Sequence, residues 1–292
     1  MTAEKYAKYM VKDVVAENKW GGQGISLSKI PDGLVPPKDK MTLGITAVTK
    51  PYMFHDITHK HTFTEYFYFF GSGPCMNDFE AEAEYSFGEQ AEKQVINTPT
   101  IVVIPPMVYH CPLNYVRVTQ PFYCLEAFLA TNRTEIKLED EKETVEIKTP
   151  ELNYKRYFIK DVVAGNRWGG ERIALNKVPS DLIPAGANIN LAITIVKKPY
   201  LFHEPTHKHT FTEFCYFFGS NPLDMNDFDA EVELTFGEER QKYVISSPTI
   251  VAMPPGLFHG GLRFKRIGKP IYCLEAFLTS SYTGINLEAA KT

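Results

Sequence analysis

The stretch THKHTFTE occupies residues 58–65 and returns without change at residues 206–213. Each copy is followed by two prolines and a histidine, in PPMVYH at residues 105–110 and in PPGLFH at residues 254–259. Side chains alternate between the two faces of a β-strand, so the histidines, the phenylalanine and the glutamate of each copy are predicted to share one face. The repeat therefore predicts two equivalent strands, each with two imidazoles and a carboxylate on the same side.

These residues, together with the histidine after the prolines, match the ligand set of a divalent metal. Three neutral nitrogens and one carboxylate oxygen leave coordination positions open, and they suit Mn, Fe, Co, Ni or Zn better than Ca or Mg. Ordinary strand histidines would explain a single H-x-H equally well, but repetition of the complete set favours metal binding. We predict a divalent transition metal (Mn, Fe or Zn), with up to two ions per chain. The predicted metal ligands are His59, His61, Glu65, His110, His207, His209, Glu213 and His259.

Both halves resemble the cupin superfamily, whose first motif is H-x-H followed by Glu and Gly, and whose second motif is P-x-G-x-x-H. The chain departs from this pattern at Met53 and Leu201, where the first motif usually opens with glycine, and at Met107, which replaces the glycine of the second motif. None of these changes removes a ligand. The resemblance implies an all-β fold of two tandem cupin domains, each an antiparallel jelly-roll β-barrel.

Internal repetition extends along the whole chain. The pentapeptide KDVVA at residues 12–16 returns at residues 160–164, and the second copy gains one residue near Leu223. So long a period indicates a duplicated domain rather than a solenoid. The predicted organisation is an N-terminal cupin domain at residues 1–136, a charged linker at residues 137–152 and a C-terminal cupin domain at residues 153–292.

The hydrophobic pattern within each half is that of β-strands, with little helix. The ligand strand is predicted to continue through residues 66–70, whose aromatic side chains on both faces indicate burial on both sides. A buried strand is predicted at residues 100–104, and residues 79–85 alternate as expected for a strand with one wet face. Residues 6–15 and 154–163 are candidates for strands exchanged between the halves.

Composition excludes several classes of partner. The chain has 292 residues, 23% charged and 44% hydrophobic, with a net charge of −4. No basic excess is present, so we predict no nucleic-acid partner. No apolar run is long enough to span a bilayer and the N-terminus is charged, so we predict no membrane partner and a cytoplasmic location. The five cysteines are odd in number, which favours reduced thiols over disulfides.

Three matched pairs of residues are candidates for catalysis. One histidine in each half lies four residues before the first ligand, and is predicted to shuttle protons or contact substrate, or else to anchor a loop. A matched arginine is predicted to pair with a buried glutamate, or else to clamp a carboxylate. That glutamate lies in the last apolar strand, where it needs a partner or a raised pKa, and it is a candidate general base. The predicted catalytic residues are His55, His203, Arg117, Arg266, Glu126 and Glu275.

Aromatic side chains are predicted to line each barrel. Residues that share the ligand face by strand alternation are Phe63, Phe67 and Phe69 in the first half, and Phe211, Cys215 and Phe217 in the second. Such a lining favours a small, flat or apolar substrate with oxygen substituents over a free sugar.

The function predicted from these features is a metal-dependent enzyme that cleaves a carbon–carbon bond in a small, enolisable, oxygen-rich molecule. The substrate would be a cyclic β-diketone or a polyhydroxylated aromatic, and the reaction would be hydrolysis or O2-dependent dioxygenation. One alternative is a manganese lyase similar to oxalate decarboxylase. Another is a non-catalytic ligand-binding or storage bicupin. The resemblance also implies a homo-oligomer.

Overall fold

The computed structural model describes residues 5–36, 41–130, 135–141, 153–183, 189–203, 205–279 and 281–288, which are mostly β-strand. The helix α1 is a single turn, Leu138–Glu141. Short 3-10 helices occur at Ala7–Tyr9, Leu27–Lys29, Tyr154–Tyr157, Leu175–Lys177 and Ser180–Leu182. None of the helices in these ranges is long and apolar enough to cross a membrane. The predicted all-β fold class is confirmed.

The strands divide evenly between the two halves of the chain. Those of the first half are β1 (Met10–Lys12), β2 (Val15–Glu17), β3 (Gln23–Ser26), β4 (Thr42–Val48), β5 (Tyr52–His55), β6 (His59–Lys60), β7 (Glu65–Gly71), β8 (Ala81–Phe87), β9 (Glu92–Ile96), β10 (Thr100–Ile104), β11 (His110–Val118), β12 (Phe122–Phe128) and β13 (Ile136–Lys137). Those of the second half are β14 (Phe158–Lys160), β15 (Ala164–Gly165), β16 (Glu171–Ala174), β17 (Asn190–Val196), β18 (Tyr200–His203), β19 (His207–Lys208), β20 (Glu213–Gly219), β21 (Ala230–Phe236), β22 (Gln241–Ile245), β23 (Thr249–Met253), β24 (His259–Ile267), β25 (Ile271–Phe277) and β26 (Ile285–Asn286).

Each half builds a barrel from two antiparallel sheets. The large sheet of the first barrel has the order β14-β10-β7-β12-β4-β3-β2, and the small sheet has the order β13-β6-β11-β8-β9 with β5 also on β11. The second barrel has the orders β1-β23-β20-β25-β17-β16-β15 and β22-β21-β24-β19-β26, with β18 on β24. The matching orders are those of two duplicated antiparallel barrels.

The halves exchange their first strands. Strand β1 pairs with β23 of the second barrel, where Met10 lies opposite Val251. Strand β14 pairs with β10 of the first barrel, where Ile159 lies opposite Ile101. The predicted exchange is therefore confirmed, and backbone hydrogen bonds tie the halves together. The predicted domain boundaries stay a prediction, and most of the predicted linker, residues 142–152, lies outside the described residues.

The central strands β7 and β20 are buried along their whole length, because the two barrels pack back to back. Their outward faces meet an aromatic cluster, in which the Phe70 and Tyr272 rings lie 5.5 Å apart. The hydroxyl of Tyr123 donates to the carbonyl of Gly219 at 3.0 Å, and that of Tyr272 donates to the carbonyl of Gly71 at 2.8 Å. Burial on both faces, predicted from the aromatic runs, is confirmed.

Removing either interfacial hydroxyl is expected to weaken the contact between the barrels. Tyr123→Phe and Tyr272→Phe should each lower the free energy of unfolding by about 1 kcal/mol, because a buried hydrogen bond is lost. Urea denaturation of the single variants would measure this. Tyr68→Phe is the matched control: the Tyr68 hydroxyl is buried without a hydrogen-bond partner among the described residues, so its removal should not be destabilising. An equal loss in all three variants would contradict the assignment.

Two local expectations are corrected. The ligand strand is not continuous, because β6 ends at Lys60 and β7 begins only at Glu65, with a bend between them. The alternating strand β8 begins at Ala81 rather than at residue 79. The turn of the second motif survives the loss of its glycine, because Met107 adopts a φ of 64°, close to the 82° of Gly256. The cysteines are free thiols, as predicted.

Candidate metal centres

The bend after β6 folds two histidines of each repeat toward a third on a neighbouring strand. In the first barrel His59 lies directly opposite His110 in the β6–β11 pair, and in the second barrel His207 lies opposite His259 in the β19–β24 pair. The glutamate of each set is the first residue of the next strand, β7 or β20. The ligand sets therefore form where short strands and bends meet, rather than along one continuous strand.

The structure brings the predicted ligands of the second barrel together as a complete set. One ligand atom from each of His207, His209, Glu213 and His259 lies within 4.8 Å of every other. In the first barrel His59, His61 and His110 meet the same limit. The Oε2 atom of Glu65 lies 3.2 Å from Nε2 of His61 and 3.5 Å from Nε2 of His110.

Backbone carbonyls fix the same tautomer in all the ligand histidines. Each Nδ1 lies 2.8–2.9 Å from a carbonyl oxygen. Because a carbonyl only accepts, each Nδ1 must carry the proton, and each Nε2 presents a lone pair to the centre of the cluster. The carbonyls belong to Ile57, Phe63, Val108, Pro205, Thr283 and Leu257, and they bind His59, His61, His110, His207, His209 and His259 respectively.

The Nε2 and carboxylate lone pairs of the second barrel lie so close together that a cation is needed between them. Nε2 of His207 and Nε2 of His209 lie 3.1 Å apart, although neither carries a proton in this tautomer. Oε2 of Glu213 lies 3.1 Å from Nε2 of His259 and 3.2 Å from Nε2 of His209. Acceptor atoms this close repel one another unless a positive charge lies between them. The donor set thus fits a divalent transition metal.

The protonation states of the cluster agree with this conclusion. Burial lowers the pKa of His59 and of His207 to about 4. At neutral pH His59 and His207 are therefore neutral, which is the form that binds metal.

The ligand cluster of the second barrel adjoins a cavity. A cavity of about 320 Å³ reaches His207, Glu213 and His259 in the second barrel. The ligands of the first barrel are completely buried, whereas those of the second retain 3–7% of their surface exposed. Most of the cavity wall is apolar, and its large apolar side chains are Phe202, Leu234, Met253, Leu262 and Phe277.

Side-chain size explains why the first barrel is closed. Cys215, Leu234 and Gly260 line the second cavity, and the repeat places Phe67, Tyr85 and Cys111 at the corresponding positions of the first barrel. The rings of Phe67 and Tyr85 meet edge to face at 5.7 Å, and Tyr85 reaches the His110 ring at 6.3 Å. Larger side chains at these three positions therefore fill the space that remains open in the second barrel.

A partly buried ion pair lies in the wall of the second cavity. Nη1 of Arg172 lies 3.3 Å from Oε2 of Glu275. Burial raises the pKa of Glu275 to about 7, although Arg172 opposes the rise. Glu275 pairs with Cys215, two residues along β20 from Glu213, so it lies roughly 7 Å from Glu213 in the strand direction. A titratable carboxyl beside a candidate metal centre is typical of a functional site.

No protein-family model and no curated protein sequence matches this chain. Solved structures do resemble it. A mutant of Bacillus subtilis oxalate decarboxylase gives a TM-score of 0.58 at 12% sequence identity, covering 95% of this chain and 79% of the other. A second structure, concerned with the Mn(II) centres of the same enzyme, gives a TM-score of 0.58 at 11% identity with the same coverage.

The fold is a pair of tandem cupin barrels. At this sequence identity the likeness establishes the fold alone, and the cupin resemblance of the motifs agrees with it. Each cupin barrel of this chain carries its histidines and glutamate where β6 and β7, or β19 and β20, meet the start of β11 or β24.

The two histidines predicted four residues before the first ligands do lie against the ligand histidines. The ring of His55 lies 4.6 Å from that of His59, and the ring of His203 lies 4.6 Å from that of His207. His203 also lines the cavity, and burial lowers its pKa. In the first barrel, Nε2 of His55 lies 3.5 Å from Oε1 of Glu135.

The buried glutamate of the second barrel does pair with an arginine, but not with either of the two predicted ones. Arg117 and Arg266 lie on the outside, with more than half of each side chain exposed, and they contact Glu82 and Asp229 respectively. Register irregularities in the β8–β11 and β21–β24 pairs lie next to these two arginines. The actual partner of Glu275 is Arg172. The first barrel lacks this pair, because the repeat counterpart of Arg172 is Gly24. The counterpart of Glu275 is Glu126, which is only half-buried.

The aromatic lining differs from the prediction in the second barrel. Phe202, Phe277 and Tyr282 line the cavity, whereas Phe211 stacks on His209 with the ring centres 4.5 Å apart. The sequence pattern gave no sign of Tyr282, which belongs to the segment after the last long strand. Arg172 left a weak signal, because an arginine replaces a glycine between otherwise similar repeats.

Proposed function

We propose that this chain is a divalent-metal-dependent enzyme that cleaves a carbon–carbon bond, and that the reaction takes place in the second cupin barrel. The single observation that supports this most strongly is the cavity of about 320 Å³ against His207, Glu213 and His259. This volume is at the lower end of the roughly 300–1,000 Å³ typical of small-molecule sites. The closed first cupin barrel would hold its metal for structure.

Among the possible reactions, we favour non-oxidative cleavage with loss of CO2. The similar solved structures are of oxalate decarboxylase, whose reaction by name breaks the bond to a carboxyl group. Arg172 on the cavity wall would accommodate a substrate carboxylate. Oxalate has no apolar group to contact the apolar part of the cavity wall, so we propose a larger acid with an apolar portion.

The chain supplies the groups that such a reaction needs. His207, His209, Glu213 and His259 would hold the ion, which when bound supplies a Lewis acid that polarises a substrate oxygen. As the bond to the carboxyl group breaks, CO2 leaves and the electron pair stays on the remaining carbon. Glu275 in its protonated form donates the proton that this carbon requires, and solvent then restores the carboxyl proton.

The apolar and aromatic wall supports a second candidate function. Phe202, Phe277 and Tyr282 would also accommodate a cyclic β-diketone or a polyhydroxylated aromatic, cleaved by hydrolysis or with O2. The test is a panel of small oxo acids, β-diketones, polyphenols and oxalate with protein loaded with Mn, Fe or Zn. CO2 release without stoichiometric O2 uptake would support decarboxylation, stoichiometric O2 uptake would select dioxygenation, and cleavage with neither would select hydrolysis. No turnover by any metal-loaded form would leave a ligand-binding bicupin and contradict the proposal.

The proposed acid predicts a defined pH dependence. Because burial raises the pKa of Glu275 to about 7, its protonated form persists to neutral pH and disappears as the pH rises further. We expect kcat/KM to fall above pH 7, and Glu275→Gln to lower it by about 10²–10⁴-fold and to remove that descending limb. Steady-state rates between pH 5.5 and about 9 would measure both effects. Glu126→Gln, the matched change in the first cupin barrel, should leave the profile as in the wild type.

A further inference from the structure

We propose that Tyr282 is a catalytic residue, whose hydroxyl donates a hydrogen bond to the substrate oxygen at the second metal centre. The hydroxyl lies 3.1 Å from Nε2 of His207 and lines the cavity. This role rests on the proposed function for its substrate, whereas the geometry stands independently of the reaction type.

The Tyr282 hydroxyl and a metal ion would compete for the same lone pair, that of Nε2 of His207, and this competition suggests the role of Tyr282. Nδ1 of His207 donates its proton to the carbonyl of Pro205, so Nε2 has a single lone pair, which accepts the Tyr282 hydroxyl. The same lone pair is the one that a metal must take. An ion bound at this Nε2 would therefore replace the hydrogen bond, and the phenol would have a donor that needs a new acceptor. An acceptor on the substrate, next to the ion, is the nearest replacement.

The hydroxyl is held beside the cluster by its own segment. The carbonyl of Thr283, the next residue, accepts the proton of His209 Nδ1 at 2.9 Å. Strand β26 then pairs with β19, and the Leu287 amide donates to the carbonyl of Thr206 at 2.8 Å. The Tyr282 ring packs edge to face on Phe277 at 5.3 Å. A donor fixed in this way costs little reorganisation when charge develops on the substrate oxygen.

The chemistry of the group indicates a donor rather than a metal ligand. A tyrosine phenol keeps its proton at neutral pH, because its ordinary pKa is about 10. A neutral phenol stabilises an oxygen that gains negative charge, such as the enolate oxygen of an oxo acid or a diketone. The site therefore favours substrates with an oxygen on the carbon next to the bond that breaks.

A binding experiment tests the role without any turnover. The probe is acetohydroxamate, a small chelator with an anionic oxygen, titrated into the Co(II)-loaded protein while its visible absorption is followed. We expect Tyr282→Phe to raise the Kd by about tenfold or more, because a hydrogen bond to a charged oxygen is lost. Tyr200→Phe is the control, because that hydroxyl lies outside the cavity lining. Equal affinity in all three proteins would overturn the proposal.

A second measurement separates donation from ligation. The Co(II) spectrum without probe should be the same in the wild type and in Tyr282→Phe, and the metal content should also be equal. A phenolate-to-iron absorption band in the Fe(III)-loaded wild type, absent from Tyr282→Phe, would make Tyr282 a metal ligand and overturn the donor role.

With a substrate in hand, kinetics would complete the test. A donor that acts on developing charge predicts that Tyr282→Phe lowers kcat more than it changes KM, by about 10–10³-fold. A rise in KM alone would contradict this. If no substrate is turned over, the proposed function fails, while the hydroxamate comparison still decides whether Tyr282 is a donor at this centre.

Discussion

His209→Ala is expected to abolish turnover, whereas His61→Ala should leave most of it. The first change removes a ligand from the centre that adjoins the cavity, and the loss should exceed the roughly 10–100-fold cost of altering residues that only support metal ligands. The second change removes a ligand from the closed centre of the first cupin barrel, where His61 is completely buried. Each variant should lose about one metal ion per chain relative to the wild type.

Elemental analysis and steady-state rates on both variants would check this asymmetry. His61→Ala should also unfold at lower temperature, because a buried metal that binds only the folded chain adds to its stability. Lys60→Ala serves as a control, since its side chain lies on the neighbouring position of β6 and is not a ligand. Complete loss of turnover in His61→Ala, with its second metal still bound, would show that the first centre is needed for the reaction.

Cys215→Phe should close the cavity at the second metal centre without removing a metal ligand. The substitution places in the second cupin barrel the residue that fills the first one, where Phe67 occupies the corresponding position. We expect kcat/KM to fall by at least about 100-fold, because substrate is displaced from its position beside the metal. The cavity beside Cys215 accommodates much of the added ring, so destabilisation should stay within the 1–3 kcal/mol range typical of overpacking, at about 1 kcal/mol.

The reverse change, Phe67→Cys, provides the matched control. It should leave kcat/KM close to the wild-type value and lower the free energy of unfolding by about 3–5 kcal/mol, as expected for a large aromatic side chain lost from a core. Metal analysis, urea denaturation and rates on both variants would complete the comparison. Wild-type activity in Cys215→Phe would mean that the substrate does not enter this cavity.

The sequence specifies a good part of this arrangement because its signals are local. The spacing of His207, His209 and Glu213 is fixed within seven residues, so their convergence needs only one strand end and one bend. Even so, simple alternation was wrong in detail, since the strand is broken between Lys60 and Glu65. The third histidine follows from the repeated motif and joins the cluster through pairing of β6 with β11 and of β19 with β24.

The difference between the filled first barrel and the open second barrel could not be predicted from local sequence signals. Phe67, Tyr85 and Cys111 lie on different strands, and only packing shows that their side chains fill the same space. Arg172 precedes Glu275 by about a hundred residues and lies on a strand two removed from it in the sheet. Arg117 and Arg266 were predicted as partners because they match between the repeats, but both side chains are more than half exposed and contact surface carboxylates instead.

By itself, the sequence determined a duplicated all-β chain with two sets of metal ligands, because strand alternation and motif spacing act over a few neighbouring residues. The tertiary structure decided which set adjoins a cavity, which arginine pairs with Glu275, and that the Tyr282 hydroxyl lies beside Nε2 of His207. These outcomes depend on side-chain volumes and contacts between segments far apart in the chain. They are determined only when the two sheets of a barrel pack together and bring these segments into contact.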